Sequence, residues 1–484
     1  MKRGDEIIQE RKKKLDDMRE AGIDPYPHKF DKQNDLEECY NSEIGTQVKS
    51  AGRIMTKRDI GKLAFCGLKD GTKQMQIVLK EDYTENESLE NFKNYIDAAD
   101  FVGVEGEIDK TKKGEISIFV KKLTILSKSL YPLPSKWHGI KDKEERYRKK
   151  YLDLIMNPEV KEVFDKKEQI FDAIREYFKS RKYKEVHTPY LQTVYGGAEA
   201  EPFKTHLNAL DIDLYLSISP ELYLKRLMVG NYDKVFTIAR NFRNEDIDRW
   251  HNPEFTMLEA YEAYADYNDM MKMFEELFEY VCKKVNGDTK INVDGKEIDF
   301  KTPWPRMKMT DAIKHFGDID VYEKTEEELK EIVEKEKLEP KENAWGYYVA
   351  ELFEHYAEPK IEQPTFIIDH PVESTPLCKG HRDDPECRLI ERFEPFCMGA
   401  ELGNAYSELN DPEKQRELLE DQQQKLSEGD AEANPLDEDF LTALNHGMPP
   451  TGGLGIGIDR MIMLFTNQYS IRDVLLFPFM KPRE

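Results

Sequence analysis

The chain has 484 residues, 39% of them hydrophobic and 35% charged, which indicates a soluble globular protein and excludes a disordered one. No apolar run approaches the roughly 20 residues that a membrane span needs, and six cysteines over this length fit a reduced, cytoplasmic setting rather than a disulfide framework. The formal net charge of -24 argues only weakly against nucleic-acid binding, because binding needs no more than a local positive face.

The N-terminal part of the chain changes from a helical to a β-like pattern. Residues 1–22 are predicted to form a polar helix that Gly22 ends. Short runs typical of strands follow, separated by turn residues. Five such strands predict a small barrel, and the OB-fold is the commonest five-stranded choice. The predicted strands are residues 47–55, 63–68, 75–79, 101–108 and 116–126.

Basic residues gather late in the predicted barrel and again just after it. Lys110, Lys112 and Lys113 are the densest group, and more follow over residues 141–150. A solvated surface and a nucleic-acid-binding face both explain such clusters, so both interpretations stay open at this point.

Beyond the barrel, Tyr131-Pro-Leu-Pro134 forms a stiff connector into one large α+β region. Hydrophobic spacing predicts a helix over residues 163–181, followed by a strand through Val186 that stops at Pro189. Charge-rich helices are expected at residues 325–339 and 411–430. The expected boundaries are a helical extension over 1–35, the barrel over 36–130, a linker over 131–150 and the large domain over 151–484.

A predicted hairpin within residues 235–261 carries unusual polar residues. Period-2 geometry puts Phe255, Met257, Glu259 and Tyr261 on one strand face. A carboxylate in the middle of a packed face is costly, so Glu259 should have a cationic partner. The loop of the hairpin holds Arg243, Arg249 and His251, which suit an anionic ligand. A hairpin with an internal arginine–glutamate pair is the competing interpretation.

A glycine-rich run occupies residues 451–460, with the sequence Thr-Gly-Gly-Leu-Gly-Ile-Gly-Ile-Asp-Arg. Alternating glycines let another group approach the backbone closely. The run matches neither the dinucleotide-binding fingerprint nor the Walker pattern. Close packing of a strand against the following apolar helix explains the glycines equally well.

An acidic segment spans residues 394–408. Asn404, Tyr406 and Glu408 share a strand face, and Glu401 has the opposite parity, so a bulge near Gly403 is needed to bring it to the same site. Carboxylates together with Glu394 suit Mg²⁺, a hard cation that takes oxygen ligands. An acidic exposed strand is the alternative.

A separate group of cysteine and histidine residues is a candidate zinc site. It comprises Cys378, His381, Cys387 and Cys397. Zinc sites need tight pairs with matched spacing, and the spacing here is ragged. The pattern therefore favours free thiols.

Together, the hairpin, the acidic segment and the glycine-rich run resemble the motifs of class II aminoacyl-tRNA synthetases. Pro189, after a helix–strand unit, looks like their first motif, which builds a dimer interface. Phe242-Arg243-Asn-Glu245 with Phe255 looks like the second, and Gly455-Ile-Gly-Ile-Asp-Arg460 looks like the third. Neither class I signature, His-Ile-Gly-His or Lys-Met-Ser-Lys-Ser, occurs in the sequence.

Within this class, the resemblance over nearly the whole chain is to the lysyl enzymes. Long strings carry it: Arg146-Tyr-Arg-Lys-Lys-Tyr-Leu-Asp-Leu154, Pro220-Glu-Leu-Tyr-Leu-Lys-Arg226, His251-Asn-Pro-Glu-Phe-Thr-Met257 and Ser407-Glu-Leu-Asn-Asp411. The resemblance implies a multidomain α/β fold: an N-terminal five-stranded OB-fold β-barrel, and a class II α+β catalytic domain built on an antiparallel sheet flanked by helices.

The resemblance also implies an activity and its partners. Lysine carboxylate attacks the α-phosphate of ATP, giving lysyl-adenylate and pyrophosphate, and the 3′-terminal ribose of tRNA(Lys) then takes the lysyl group and releases AMP. The expected partners are ATP, L-lysine, tRNA(Lys) and a second copy of the chain as a homodimer, with Mg²⁺ as cofactor and no membrane.

The resemblance implies which residues bind ATP. Arg243 bridges the α-phosphate and the substrate carboxylate, which stabilises developing charge. Phe255 and Arg460 sandwich adenine, and Arg460 or His251 reaches the γ-phosphate. The expected catalytic residues are Arg243, Glu245 and Arg460; the expected ATP-binding residues are these with His251, Asn252, Phe255, Glu394 and Glu401, the last two also holding Mg²⁺.

The resemblance also implies which residues bind lysine and which residues bind the anticodon. An ammonium taken out of water must meet carboxylates, and Glu221 and Glu408 are the family positions for it. The expected lysine-binding residues are Gly197, Glu221, Glu259, Tyr261, Asn404, Tyr406 and Glu408. In the barrel, which family members use to stack and read a uridine-rich anticodon, the matching positions are Arg53, Phe65, Gln76 and Glu115.

Three positions depart from the commonest pattern of the family. Glu199 and Glu201 stand where small or basic residues are more familiar, and Trp250 stands where an arginine is common. Aspartyl or asparaginyl enzymes share the barrel and catalytic plan, but paired carboxylates repel an acidic side chain. A non-catalytic paralogue is expected to lose Arg243, Glu401 or Arg460, and protein-directed lysine ligases lack the barrel.

Overall fold

The computed structural model describes residues 3–134, 140, 142–384 and 388–483. The chain divides into two compact units, Met1–Lys141 and Asp142–Glu484. Within the described chain, no helix combines the length and the apolar character needed to cross a membrane.

Unit 1 is a closed five-stranded barrel in the order β1-β2-β3-β5-β4, with every pairing antiparallel except that of β3 with β5. All five predicted strands are confirmed. Alternate side chains of each strand are buried, so Ile54, Leu68 and Ile77 enter one apolar core. The strands are β1 (Gln47–Asp59), β2 (Leu63–Lys69), β3 (Gln74–Lys80), β4 (Phe101–Lys110) and β5 (Ile116–Ser127).

Three helices accompany the barrel: α1 (Arg3–Glu20), α2 (Leu36–Asn41) and α3 (Asn86–Asn94). The predicted N-terminal helix is confirmed as α1, which the left-handed Gly22 follows. Polar contacts attach α1 to the barrel, since Arg11 donates to the Ala98 carbonyl at 2.8 Å and Lys14 lies 2.8 Å from Asp97.

Unit 2 is built on a nine-stranded sheet that is largely antiparallel, as predicted. Its order is β14-β15-β16-β18-β19-β11-β10-β6, with β17 paired to β16. Its strands are β6 (Lys184–Glu185), β10 (Lys234–Phe242), β11 (Glu254–Ala263), β14 (Arg306–Lys308), β15 (Thr365–Pro371), β16 (Leu389–Cys397), β17 (Ala400–Glu401), β18 (Gly403–Ser407) and β19 (Thr451–Gly457); β7 (Leu191–Gln192), β8 (Lys204–Leu207) and β9 (Ile212–Leu216) form a second sheet, and β12 (Lys290–Val293) pairs with β13 (Lys296–Asp299).

Helices flank this sheet. The core helix α8 begins at Asp266, whose carboxylate accepts from two backbone N–H groups of the first turn, and ends at the left-handed Gly287. The helices of the unit are α4 (Lys143–Arg148), α5 (Lys150–Met156), α6 (Pro158–Ser180), α7 (Glu221–Val229), α8 (Tyr267–Asn286), α9 (Met309–Gly317), α10 (Glu326–Lys335), α11 (Trp345–Tyr356), α12 (Pro412–Glu428), α13 (Glu438–Asn445) and α14 (Ile458–Phe465), with short 3₁₀ turns at Glu358–Lys360, Val372–Ser374 and Ile471–Val474.

The two charged helices predicted from composition are confirmed as α10 and α12, and each begins beside a capping side chain, Thr325 or Asp411. The strand predicted through Val186 is shorter than expected. Only Lys184 and Glu185 are in a strand, because this edge segment pairs with β10 over two residues before the chain leaves the sheet.

The register of three central strands explains the glycine-rich run, which forms β19. Gly455 lies between Glu259 of β11 and Asn404 of β18, and Gly453 lies between Tyr261 and Tyr406. Because glycine has no side chain, β19 leaves open space between the polar side chains of its two neighbours. The middle of the sheet therefore carries a cavity.

Candidate active site

Two adjoining cavities open above the central strands. The first cavity has a volume of about 250 Å³ and is lined mainly by polar and acidic side chains. The second, of about 180 Å³, contains Phe255, Trp250 and Arg460. Arg243, Met257, Glu401, Asn404 and Gly455 line both. The first cavity also takes in Gly197, Glu221, Glu259, Tyr261, Glu394, Tyr406 and Glu408, and the second also takes in Glu245, His251 and Asn252, so all of the sequence-predicted residues for lysine and ATP meet here.

Glu259 is buried in the first cavity, as the alternation of β11 predicts. The prediction that it has a cationic partner is wrong: its carboxylate accepts from the Ser219 hydroxyl at 2.7 Å and from the Tyr261 hydroxyl at 3.2 Å. Burial raises the pKa of Glu259 to about 8, and the charge of Glu221 adds to the effect. The cavity thus contains a carboxyl group that a cation would ionise.

A tight cluster at one end of the first cavity joins α7, β18 and β19. The Tyr406 hydroxyl donates to Glu221 Oε1 at 2.6 Å. A Cβ at Gly453 would overlap Glu408 Oε1 and the Tyr261 ring, so only glycine fits between them. Gly197, with φ of +88°, lies against Ser219 and the Glu221 side chain on the opposite wall.

Lys225 is a charged residue of this cluster that the sequence interpretation missed. It is fully buried on α7, and its Nζ lies 2.6 Å from Glu221 Oε1 and 2.5 Å from Glu408 Oε2. Burial acts against its charge, but the two carboxylates raise its pKa overall. The four-residue spacing of Glu221 and Lys225 on a helix was a signal that could have revealed the pair.

The second cavity has an aromatic floor beside Arg243. The Arg243 guanidinium lies 5.2 Å from the centre of the Phe255 ring, and its Nε has no hydrogen-bond partner among the described residues. Burial lowers the pKa of Arg243, and the nearby Glu245 and Glu401 raise it. A half-buried cation with an unsatisfied donor suits an anionic ligand at the junction of the two cavities.

A chain of polar contacts forms the far wall of the second cavity. Arg460 Nη2 donates to His251 Nε2 at 3.2 Å, and His251 Nδ1 pairs with Asp248 Oδ2 at 2.8 Å. Arginine is always the donor, so the His251 proton lies on Nδ1. Arg460 also donates to the Glu401 carbonyl at 2.6 Å, which fixes its guanidinium against β17.

Several carboxylates lie near Glu401, which lines both cavities. Glu401 is half-buried, and burial followed by the charge of Glu394 raises its pKa. Burial also raises the pKa of Glu358 to about 7, with Glu354 and Glu401 adding. The interruption of the strand at Leu402, between β17 and β18, brings Glu401 to the cavity, which confirms the predicted irregularity near Gly403.

This acidic wall fits a hard cation in part. Among the described residues, no group of three or more histidine, cysteine or acidic side chains is close enough to hold a metal ion. Mg²⁺ commonly takes only one or two carboxylates together with substrate phosphates and water. Glu401, whose pKa is raised by burial and then by the charge of Glu394, and Glu394, paired with Arg392 at 2.5 Å, are suited to that limited role.

The residues that depart from the family pattern have structural partners. Arg249, which precedes Trp250, contacts Tyr469: its guanidinium stacks 3.7 Å from the centre of the Tyr469 ring, and its Nε donates to the Tyr469 carbonyl. Trp250 instead lines the second cavity. Glu199 lines the first cavity and lies 3.1 Å from Lys341 Nζ.

Two of the residues considered for zinc are buried free thiols, Cys378 and Cys397. Burial raises the pKa of both thiols. Cys387 lies outside the described residues. His381 contacts Tyr267 and Asp369 rather than a thiol.

Ser219 and Arg392 are further cavity residues that the sequence interpretation missed. Ser219 positions Glu259, and Arg392 pairs with Glu394 while donating to the Ser374 carbonyl at 2.8 Å. The sequence offers only weak signals for these two residues. They are a serine directly before Pro220 and an arginine two residues before Glu394.

In unit 1, the four anticodon candidates lie on outward-facing positions of the barrel. The Arg53 guanidinium lies 4.2 Å from the centre of the exposed Phe101 ring. Gln76 Nε2 donates to Glu115 Oε2 at 3.1 Å, and Phe65 is half-buried on the neighbouring β2. The same face therefore combines aromatic surfaces with polar groups suited to base edges.

Comparison with known proteins supplies the family. Residues 142–481 match the model of class II tRNA synthetases (D, K and N), and residues 48–126 match that of the OB-fold nucleic acid binding domain. The chain is 49% identical to the lysine–tRNA ligase of Pelotomaculum thermopropionicum over 99% of this chain and 96% of the relative. It is 50% identical to that of Clostridium perfringens over 98% and 96%, and 50% identical to that of Thermoanaerobacter pseudethanolicus over 99% and 96%. The chain therefore belongs to the lysine–tRNA ligase family of class II tRNA synthetases.

Proposed function

We propose that the protein joins L-lysine to tRNA(Lys) in an ATP-dependent reaction through lysyl-adenylate, releasing AMP and pyrophosphate. The observation that carries this proposal is the pair of adjoining cavities, one acidic and one aromatic and cationic, with Arg243 in the wall of both. That arrangement suits an amino acid and a nucleotide whose reacting groups meet at the shared wall.

The first step needs the lysine carboxylate beside the α-phosphate. Arg243 is the cation at the shared wall, and its unsatisfied Nε matches two anions that approach each other. It therefore offsets their repulsion and stabilises the extra charge of the transition state. Phe255 and Arg460 offer a stacking surface and a guanidinium for adenine, and Arg460 or His251 would reach a terminal phosphate. Glu245 and Asn252 complete this wall.

Lysine selection follows from the charge of the first cavity. Glu221, Glu259 and Glu408 are buried there, and Lys225 supplies one positive charge. The remaining negative charge favours a cationic amino acid and disfavours aspartate or asparagine. Glu221 and Glu408, with Tyr261 and Tyr406, would take the side-chain ammonium. Glu259, Asn404 and the backbone near Gly197 would take the α-amino end.

Glu394 and Glu401 would hold Mg²⁺. The ion would neutralise the phosphates, and the two carboxylates supply the limited protein contribution that Mg²⁺ usually takes. Burial and mutual repulsion of these acidic groups make a bound cation favourable.

Recognition of tRNA belongs to the barrel in this proposal. Phe65 would stack a base, and Arg53, Gln76 and Glu115 would read base edges. We further propose that the domains follow the boundaries 1–35, 36–130, 131–150 and 151–484, and that the protein acts in the cytoplasm.

We propose that the protein works as a homodimer. Pro189 precedes exposed apolar side chains, Tyr190 and Leu191, which are 43% and 52% exposed. Light scattering on the purified protein is expected to give twice the mass of the chain, and a monomer at micromolar concentration would contradict this assembly.

Charging of tRNA tests the function directly. Purified protein with ATP, Mg²⁺ and tRNA(Lys) is expected to make acid-precipitable tRNA from radiolabelled lysine, and omission of ATP or Mg²⁺ is expected to abolish it. The proposal fails if no lysine is transferred, or if aspartate or asparagine is transferred instead.

A further inference from the structure

Lys225 lies at the amino-acid end of the first cavity, although Lys225 itself does not line that cavity. Of the three charged groups in contact there, Glu221 and Glu408 line the cavity, and Lys225 is fully buried with no exposed surface. Its Nζ contacts one oxygen of each carboxylate, at 2.6 and 2.5 Å. Lys225 therefore occupies the side of the carboxylate pair that a ligand does not reach.

The remaining oxygens of the pair are the ones available to a ligand. Neither oxygen of Glu408 has a hydrogen-bond partner among the described residues; Oε2 is in an ion pair with Lys225, whereas Oε1 lies next to Gly453, which lines the cavity. A buried carboxylate oxygen without a donor is costly, which indicates that a donor arrives from elsewhere. An ammonium group in the cavity would meet that need.

Lys225 offsets the repulsion between the two carboxylates that it contacts. Burial raises the pKa of Glu408 well above its ordinary value, and the Lys225 ammonium opposes that rise. The charges of the trio sum to a single negative charge when all three groups are ionised. One further ammonium then makes the cluster neutral, whereas without Lys225 the repulsion between the two carboxylates would not be offset.

We propose that Lys225 is a positioning residue for amino-acid selection, whose ammonium holds Glu221 and Glu408 together so that their remaining oxygens accept the side-chain ammonium of the substrate. This inference rests on the proposed function. Lys225 lines neither cavity, so it would act only through the two carboxylates. Its helical position fixes it four residues from Glu221, on the same face of α7.

The first test compares Lys225→Met with Lys150→Met in lysine-dependent ATP–pyrophosphate exchange. Lys150 is also buried and lies 3.5 Å from Asp153, away from the cavities, so it controls for loss of a buried lysine. Lys225→Met is expected to raise the KM for lysine by about tenfold or more, with the KM for ATP unchanged. Lys150→Met is expected to lower stability alone.

A selectivity and a pH readout separate positioning from a merely structural role. The variant should lose preference for lysine over its neutral hydroxyl analogue, because a protonated carboxyl donates rather than accepts. Its KM for lysine should also fall more steeply with rising pH than that of the wild type. The ionisable groups around Lys225 are Glu221 on its own helix, Tyr406 and Glu408 from β18 and beyond, and Cys378, with Glu259 and Tyr261 across the cavity.

A second comparison covers the case in which Lys225→Met does not fold. The double variant Lys225→Met with Glu408→Gln loses one charge of each sign and is compared with Glu408→Gln alone. The proposal predicts coupling: in the Glu408→Gln background, loss of Lys225 should leave the KM for lysine unchanged or lower it.

These experiments distinguish failure of the proposed function from failure of the proposed role of Lys225. Wild-type protein without lysine-dependent exchange contradicts the function itself. Wild-type exchange together with an unchanged KM for lysine in Lys225→Met, or with effects that multiply in the double variant, overturns only the role of Lys225.

Discussion

Arg243 is the side chain on which both halves of the proposed reaction depend, because it lines the first and the second cavity at once. Its position was predictable from the loop of the hairpin. The hydrogen bond between Glu259 and Ser219 was not predictable, because Ser219 is 40 residues away in sequence and the alternation of β11 gives no information about it. Lys225 was predictable from helical spacing, but its contact with Glu408 depends on tertiary packing.

Replacing Arg243 by alanine tests its role in charge stabilisation. The variant is expected to reduce the kcat of ATP–pyrophosphate exchange by about 10²- to 10³-fold, because it removes the cation between two anions. Arg249→Ala is the matched control, since that arginine stacks on Tyr469 outside both cavities. Equal losses in the two variants would contradict a specific role for Arg243.

The raised pKa of Glu259 predicts that lysine binding depends on pH. Its pKa is about 8 in the free protein, so the group is largely protonated at pH 6.5 and ionised above pH 8. A bound ammonium favours the ionised form, so affinity for lysine should rise with pH across this window and binding should release a proton. Calorimetry in two buffers of different ionisation enthalpy measures the release. Affinity that is independent of pH, without proton release, would refute this account.

At the scale of elements, β19 shows how backbone composition shapes the site. Period-2 reasoning was enough to place Glu259 and Tyr261 on one face and to require an irregularity between Glu401 and Asn404. The alternating glycines were open to two interpretations. The register decided between them, because Gly453 and Gly455 lie between facing polar side chains of β11 and β18.

Gly453→Ala is expected to raise the KM for lysine, because the added Cβ would overlap Glu408 Oε1 and force the carboxylate to move. We also expect a stability loss of about 1–3 kcal/mol in urea unfolding, typical of overpacking. Gly380→Ala is the control, since a Cβ there meets no atom within 4 Å. A Gly453→Ala enzyme with wild-type KM would show that this close approach does not shape the lysine site.

For the whole molecule, composition and pattern were sufficient to predict a barrel unit followed by a larger α+β unit. The net charge of -24 was a poor guide to nucleic-acid binding, because it averages over both units and hides the local surface of the barrel. The short edge strand β6 was mispredicted because strand length depends on its pairing partner rather than on its own sequence.

The proposed role of the barrel in binding tRNA predicts that one variant lowers tRNA charging without changing ATP–pyrophosphate exchange. Phe65→Ala should lower kcat/KM for tRNA charging by about tenfold or more, since base stacking contributes roughly 1–3 kcal/mol. Exchange without tRNA should be unaffected. Tyr40→Ala, another exposed aromatic of the same unit, is the control. Loss of exchange in Phe65→Ala, or full charging, would contradict a role for the barrel face in reading tRNA.

The central claim is that the acidic cavity selects lysine for activation by ATP. Exchange of labelled pyrophosphate into ATP, measured with the wild-type protein and each of the 20 standard amino acids in turn, tests it most directly. We expect lysine to support the fastest exchange, with aspartate and asparagine inactive. Absence of lysine-dependent exchange, or faster exchange with an acidic or neutral amino acid, would contradict the claim.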